Sequence, residues 1–190
     1  MKQILFLLLL ATACTANAQY GIDNSGGSIR AGIAYVHDFP GLHGEAAYLQ
    51  YNFPLNEWLQ GGIGAKRLQT AGYPRTQTVR EFTKATTLDF SLLFVPLHTD
   101  NAALRIGAGY SFSFYKVRRS YPVYTAHADP SAASDISWPQ TDAKGSTRGV
   151  GLTAEYEYYI SRQFSAGASI SLSKVYGTVV MGGPFVAFKL

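Results

Sequence analysis

The chain has 190 residues, with 16 Lys and Arg against 12 Asp and Glu, a single cysteine and only 15% charged residues. A soluble domain normally carries about a quarter charged residues, yet no long apolar run outside the first twenty residues explains the deficit. This combination argues against a cytosolic enzyme, a disordered chain, a helical membrane protein and a disulfide scaffold. The small and scattered basic excess gives no indication of nucleic-acid binding.

Residues 1–18 have the features of a secretory signal peptide. Lys2 supplies the positive start, an apolar segment follows, and Ala16-Asn17-Ala18 matches a small-x-small cleavage site. The apolar segment is too short for a membrane-spanning helix, which needs about 20 residues. We therefore expect export with cleavage after Ala18, which leaves residues 19–190 as one domain. Lipidation at Cys14, within a weak lipobox, is the alternative.

Side chains of the mature chain alternate between apolar and small or polar, which predicts β-strands. The clearest case is the segment 104–115, where every second residue from Leu104 to Phe114 is apolar and those between are mostly Gly, Ser or Arg. In chain order, eight strands are predicted near residues 28–37, 44–53, 58–68, 80–95, 104–115, 150–160, 164–173 and 183–190.

The connections between these strands alternate in length. Short turns follow the second, fourth and sixth strands. Longer loops follow the first, third, fifth and seventh, at residues 38–43, 70–78, 120–147 and 174–182. Short turns at one end and longer loops at the other are typical of outer-membrane barrels. The even number of strands places both termini at the short-turn end, on the periplasmic side.

The composition of the two strand faces indicates that the apolar face points to lipid. A Gly- and Ser-rich outer surface would carry too few charges to keep a barrel soluble, whereas small residues fit the narrow interior of eight strands. Aromatic residues near both strand ends match the two membrane interfaces. At the short-turn end these are Phe53, Trp58, Phe94, Tyr158, Tyr159 and Phe164, and at the other end Tyr35, Tyr73, Phe82, Phe112, Phe114, Tyr115 and Tyr176.

The predicted fold class is therefore all-β, an eight-stranded antiparallel up-and-down transmembrane β-barrel. A β-sandwich with an aromatic core is the alternative. The whole mature chain resembles the small outer-membrane β-barrel proteins of the Bacteroidetes type, with an OmpA-like or OmpW-like architecture. The resemblance rests on the leader, the turn entries Phe53-Pro54-Leu55 and Val95-Pro96-Leu97, the strand 106–110 and the C-terminal strand 183–190. It implies residence in the cell outer membrane, insertion by the barrel-assembly machinery, and contact with lipid and lipopolysaccharide.

The strand phase places seven charged residues on the interior face. Isolated buried charges are costly, so these groups must pair or retain water. We interpret them as a structural network that plugs the interior and fixes the strand register, because eight strands leave no continuous channel. A gated ion path is the alternative. The seven residues are Arg30, Lys66, Asp89, Arg105, Glu155, Glu157 and Lys189.

Two hypotheses of chemistry involve the first loop. His37, Asp38 and His43 would supply ligands for a zinc site. His37 and Asp38 with a serine, Ser120 or Ser173, would supply the groups of a lipid-A-modifying enzyme. Neither set matches a specific motif, so we expect no catalytic residue, no metal and no cofactor.

The long loop 120–147 carries the candidate surface contacts Tyr121, Tyr124, His127 and Trp138, since exposed aromatic residues on long loops form binding surfaces. Arginines beside the second and third loops suit the phosphates of lipopolysaccharide. These are Arg67, Arg75, Arg80, Arg118 and Arg119.

The sequence therefore predicts a monomeric, non-catalytic outer-membrane barrel with a plugged polar interior. Its expected role is membrane integrity, or surface or ligand interaction through the loops. The alternatives are a lipid-A-modifying enzyme and a narrow barrel that passes small hydrophobic molecules. Such a barrel would open in its wall where Gly182-Gly183-Pro184 interrupts strand pairing, because proline donates no ladder hydrogen bond.

Overall fold

The described part of the chain forms ten β-strands, eight of which correspond to the alternating segments. A computed structural model of the chain describes residues 26–39, 41–73, 79–125 and 135–190. The predicted signal peptide and its cleavage site therefore lie outside the described residues. The strands are β1 (Ser28–Asp38), β2 (Leu42–Pro54), β3 (Leu59–Gly72), β4 (Glu81–His98), β5 (Ala102–Ser120), β6 (Val123–Thr125), β7 (Asp135–Ser137), β8 (Gln140–Tyr159), β9 (Phe164–Lys174) and β10 (Thr178–Lys189). In the described part of the chain, no helix is long and apolar enough to cross a bilayer.

Eight of the strands close into one barrel, in the order β1-β2-β3-β4-β5-β8-β9-β10, with β10 pairing back to β1. Each pair is antiparallel, so the chain runs up and down around the barrel. The register can be followed from strand to strand around the barrel, starting at Ser28 of β1 and moving to its paired residue on each next strand. After all eight strands this path returns to β1 at Asp38, ten residues further along. This shift is the shear that tilts the strands. The predicted fold class is confirmed.

The two faces of the barrel wall differ as the alternation predicts. On the outer face, Phe90 is 52% exposed and Ile106 is 51% exposed, whereas Thr87, Ser111 and Ser113 on the inner face are buried. A continuous band of apolar side chains thus surrounds the barrel. Soluble monomers rarely expose apolar patches of this extent, and such a band is what lipid tails solvate.

Two of the aromatic residues that were predicted to lie at the membrane interfaces point into the barrel. Tyr115 packs against the interior apolar cluster, and Tyr159 is buried inside the barrel. Both lie in the same phase as buried neighbours, Tyr115 with Ser113 and Tyr159 with Glu157. Their assignment to the interfacial belts was therefore wrong, because the two-residue period of a strand outweighs nearness to its end.

The two ends of the barrel have different connections. The end that carries both barrel termini, here called the turn end, has connections at residues 55–58, 99–101 and 160–163. The opposite end, here called the loop end, has connections at 39–41, 73–80, 121–139 and 175–177. The first and last of these are shorter than predicted because the strands continue further. Gly41, with φ of 110°, closes the first one, and its N–H donates to the Asp38 carbonyl.

One side of the barrel wall extends beyond the rest at the loop end. β5 and β8 stay paired as far as Ser120 and Gln140, whereas β9 pairs with β8 only from Gly151 onward. Residues 140–150 of β8 therefore form an open sheet edge. The sequence predicted a loop here because both faces of this segment contact solvent, so no apolar alternation marks it. The extended sheet ends in the small hairpin of β6 and β7.

The last barrel strand also begins earlier than predicted, at Thr178 rather than residue 183. Its pairing with β9 is continuous through Pro184, and the ladder to β1 lacks only the pairs between Gly182 and Phe185. The register is the same on both sides of this gap. The wall stays closed there, because a Cβ on Gly183 would lie 2.1 Å from the Ile33 carbonyl oxygen. The predicted interruption is thus a local loss of hydrogen bonds without an opening.

Candidate functional site

The barrel interior holds four layers of side chains, and the inner face of β1 passes through them in order. From the turn end to the loop end this face carries Arg30, Gly32, Ala34, Val36 and Asp38. Charged residues therefore occupy both ends of the sequence, and small or apolar residues lie between them. The other strands of the barrel contribute further side chains to each of these layers.

The layer at the turn end is a network of buried charges. Arg30 contacts Glu155, and its Nη2 donates to Glu157 Oε2 at 2.7 Å. Glu157 also accepts from Arg105 and from the Ser165 hydroxyl. These four charged residues are at most 6% exposed. Two guanidinium groups thus neutralise two carboxylates, which is the arrangement that makes buried charges tolerable.

Neutral groups accept the other hydrogen bonds of Arg105. Arg105 Nε donates to Gln60 Oε1 at 2.9 Å, and Arg105 Nη2 donates to the Tyr159 hydroxyl at 3.3 Å. The Phe185 ring lies 5.2 Å from the Arg30 guanidinium. Lys189 stands beside the network, with its ammonium 4.0 Å from the centre of the Tyr159 ring. Gln60, Ser165 and Phe185 were not among the predicted residues, although all three share the lumen-facing phase.

The second layer is a cavity of about 100 Å³ near the middle of the barrel, lined by both polar and apolar side chains. Lys66 and Asp89 line it and form an ion pair at 3.1 Å. The Tyr48 hydroxyl reaches across to Ser169 at 3.1 Å. The seven predicted interior charges therefore do not meet as one group, because Lys66 and Asp89 form a separate pair.

The third layer is apolar, which differs from the predicted polar interior. Its buried side chains pack into one cluster that fills the barrel toward the loop end, so polar groups do not occupy the whole interior. Val36 and Leu68 already stand on the lumen-facing phase near the ends of the predicted strands 28–37 and 58–68, so part of the signal was present in the sequence. Val179 lies before the predicted start of the last strand. The cluster contains Ala34, Val36, Ala46, Leu68, Ala85, Val175, Val179 and Met181.

The fourth layer is a second polar cluster at the loop end. Arg119 Nη2 donates to Asp38 Oδ2 at 3.0 Å and to Thr83 Oγ1 at 2.8 Å. Arg119 also lies 3.8 Å from the Glu81 carboxylate, which accepts from the Ser120 backbone N–H at 3.2 Å. Asp38 and Glu81 are fully buried. Sequence reasoning placed Asp38 in a loop and Arg119 at the lipid surface, because it ended β1 and β5 too early.

The groups proposed for a metal site or an enzyme lie on opposite faces of the wall. His37 pairs with His43 on the outer face, with their Nδ1 atoms 3.1 Å apart. Asp38, Ser120 and Ser173 lie on the inner face and are buried. Within the described ranges, no group of three His, Cys, Asp or Glu side chains is placed to hold a metal ion.

The predicted surface contacts lie around the small β6–β7 hairpin. Tyr121 and Tyr124 are exposed, Tyr124 to 68%, and Trp138 is half-buried. His127 lies outside the described residues. Val123 and Ile136 add exposed apolar area that the sequence analysis did not single out. We call residues 121–125 and 135–139 the tip hairpin.

Solved structures share this architecture. The chain is similar to the crystal structure of Neisserial surface protein A, with a TM-score of 0.59 and 14% identity over 90% of this chain and 100% of that chain. It is also similar to the attachment invasion locus protein Ail of Yersinia pestis, with a TM-score of 0.51 and 15% identity over 87% and 97% of the two chains. OprG from Pseudomonas aeruginosa gives 0.52 and 11% over the same shares.

No protein-family model and no curated protein matches the chain. Sequence identities between 11% and 15% to these structures show a shared fold, and they do not show a shared activity. The closed antiparallel barrel, the apolar outer band and the filled interior agree with that fold. The chain has the fold of the small eight-stranded outer-membrane β-barrels.

Proposed function

We propose that the chain is a monomeric, non-catalytic barrel of the bacterial outer membrane that holds the tip hairpin away from the cell surface for contact with a partner. Export through the predicted leader, with cleavage after Ala18, and insertion by the barrel-assembly machinery belong to this proposal. The assignment of the chain to the Bacteroidetes type of these barrels is also part of the proposal. The apolar outer band and the fold shared with outer-membrane barrels support the location.

The filled interior is the observation that carries the closed, non-conducting role. The ion network around Arg30 and Glu157 blocks the turn end, and the cluster around Arg119 and Asp38 blocks the loop end. The apolar layer lies between the central cavity and the loop end, and ions do not cross a dry apolar layer without a large desolvation cost. We therefore assign the charges to closure and register rather than to transport.

The shape of the loop end supports a role in surface contact. The β5–β8 extension is a hydrogen-bonded support rather than a free loop, and it carries the exposed Tyr121 and Tyr124 at its end. Rigid supports lower the entropy that is lost on binding. Aromatic side chains are also the groups that most often dominate binding energy at protein interfaces.

The two other candidate functions lack a matching arrangement among the described residues. A lipid-A-modifying enzyme needs a base and a nucleophile within hydrogen-bond reach, whereas His37 and the serines Ser120 and Ser173 lie on different faces of the wall. A barrel that passes hydrophobic molecules sideways needs an opening, and the β1–β10 contact at Gly183 stays closed.

Two measurements test the proposed function. The purified barrel in a planar bilayer is expected to show no stepwise ion conductance. Cells that display the chain with Tyr121, Tyr124 and Trp138 changed to Ser are expected to adhere less to protein-coated surfaces, while the barrel still shifts its gel mobility on heating. The matched control changes three polar neighbours, Thr125, Ser137 and Gln140, to Ala. Steady conductance, or adhesion that is indifferent to the loss of the three aromatic residues, would contradict the proposal.

A further inference from the structure

Three lysines from three neighbouring strands lie side by side on the outer surface near the loop end. The register pairs Lys84 of β4 with Lys116 of β5, and Lys116 with Lys144 of β8. Directly paired residues share one face, with their Cβ atoms about 4.5–5.5 Å apart. Lys84 and Lys144 are exposed, and Lys116 is half-buried. We call these three residues the lysine row.

An aromatic ring draws the cations of this surface together. The ammonium groups of Lys84 and Lys116 lie 5.9 Å and 5.8 Å from the centre of the Phe82 ring, and the Arg118 guanidinium lies 5.3 Å from it. Cations are attracted to an aromatic face at such distances. Phe82 therefore keeps the ammonium groups of Lys84 and Lys116 close to each other and to the Arg118 guanidinium.

Among the described residues, the row has only a shared counter-ion, because the Asp142 carboxylate interacts electrostatically with Lys116 and Lys144 but also pairs with Arg118. Asp142 is engaged by Arg118, with two contacts of 2.6 Å and 2.9 Å. Glu45 is separated from Lys84 by Gln69 in the pairing order. In the part of the chain that the structure describes, no carboxylate forms an ion pair with any of the three lysines. Like charges opposite each other destabilise a sheet, so this arrangement calls for an external anion.

The row lies where the apolar outer band ends. On β5, the outward residues before Lys116 are Tyr110, Phe112 and Phe114, and the two phenylalanine rings pack edge to face with centroids 4.8 Å apart. Charged side chains next to an aromatic belt sit at the depth of lipid headgroups. The anion that meets them there is a headgroup phosphate.

We propose that the lysine row binds the phosphate groups of the phosphorylated saccharolipid of the outer leaflet, the lipid A class. The inference rests on the proposed outer-membrane location. Phosphate oxygens accept charge-assisted hydrogen bonds from several ammonium groups at once. The row adds to the predicted arginine anchors. Of these, Arg67 and Arg80 are exposed, whereas Arg119 faces the interior, Arg118 is occupied by Asp142, and Arg75 lies outside the described residues.

The test measures lipid binding to the full chain in detergent micelles by native mass spectrometry. The probes are bisphosphorylated lipid A, the same lipid with its phosphates removed, phosphatidylglycerol and inorganic phosphate. In the test variant, Lys84→Gln, Lys116→Gln and Lys144→Gln are combined. The control variant changes the net charge by the same three units at exposed positions away from the row, by Arg162→Glu and Lys174→Gln.

The wild type and the control variant are expected to bind phosphorylated lipid A equally well, and the test variant about tenfold more weakly. Equal binding by the test variant, or equal binding of the dephosphorylated lipid, overturns the inference. Saturation by inorganic phosphate, or phosphatidylglycerol binding as tight as lipid A, overturns the assigned source.

A heat-dependent mobility shift checks that each variant is folded, and the single change Lys116→Gln replaces the triple variant if that one does not fold. The single variant is expected to bind phosphorylated lipid A more weakly than the wild type, and binding equal to the wild type overturns the inference. The proposed function fails separately, if the wild-type chain does not insert into bilayers at all.

Discussion

Arg30 and Glu157 are 127 residues apart in the chain, yet their side chains meet inside the barrel at 2.7 Å. The contact spans the interior from β1 to β8, which are not neighbours in the wall. Each is 1% exposed, and each has a second ionic partner, Glu155 for Arg30 and Arg105 for Glu157. The pair therefore holds opposite parts of the wall together and closes the turn end at the same time.

Removal of the Glu157 charge is expected to destabilise the barrel strongly. Glu157→Gln leaves the two buried guanidinium groups with Glu155 as their one ionic partner, and an uncompensated buried charge costs about 3–5 kcal/mol. The free energy of unfolding in urea, measured in lipid vesicles, gives the value. The control is Asp142→Asn, which breaks the exposed ion pair with Arg118 and should lower the free energy of unfolding much less. Equal losses in the two variants would refute the structural role of the network.

The apolar layer should respond to cavity formation. Leu68 is 1% exposed within this cluster, and Leu→Ala changes in packed cores cost about 2–5 kcal/mol. We expect Leu68→Ala to lower the free energy of unfolding by an amount in that range. Gln69→Ala, at the neighbouring outward position, should change it by less than about 0.5 kcal/mol. A Leu68→Ala loss as small as this control would mean that the layer is loosely packed.

The pairing of β5 with β8 at the loop end should weaken in acid. The hydrogen bond and charge of Arg118 hold the pKa of Asp142 below its usual value, at a site outside the apolar band. A carboxyl whose folded-state pKa is lowered stabilises the fold at neutral pH, and this contribution disappears as the pH falls below about 3.9 and through the folded-state value.

Hydrogen exchange of the amides in residues 140–144, corrected for intrinsic rates, measures this effect. Protection should decrease between neutral pH and about pH 3 in the wild type. It should be low and nearly independent of pH in Asp142→Asn. The effect is local, because both side chains are in contact with water. Identical pH profiles for the two proteins would show that the ion pair contributes nothing to this edge.

The first loop-end turn should depend on Gly41. Its φ of 110° lies in a region that residues with a Cβ rarely adopt, and an added Cβ would meet no neighbouring atom within 4 Å. The cost of Gly41→Ala is therefore backbone strain alone, about 1–2 kcal/mol. Thermal unfolding in detergent measures it. Gly72→Ala is the control, because Gly72 has ordinary φ and room for a methyl group beside Leu42. A stable Gly41→Ala protein would mean that the turn relaxes to another conformation.

Local patterns were sufficient for the strands of the barrel wall. The alternation in residues 104–115 fixed the inner and outer faces of β5, and that phase extends to Arg105 and Ser113 as buried residues and to Ile106 and Phe114 as exposed ones. The prediction failed where the signal weakens. Residues 140–147 contact solvent on both faces, so a paired strand carries the composition of a loop there.

The sequence by itself determined the class of the fold, the faces of its strands and the inward position of the seven charges within the predicted strands, because a two-residue period is a local property of the chain. Only the tertiary structure decided which of those charges meet. The ten-residue shift around the barrel sets Arg30 beside Glu155 and Glu157, leaves Lys66 with Asp89, and joins Asp38 to Arg119. Contacts across the interior depend on the total register shift around the barrel. All eight strand pairings set this shift together, so no single segment of the chain determines it.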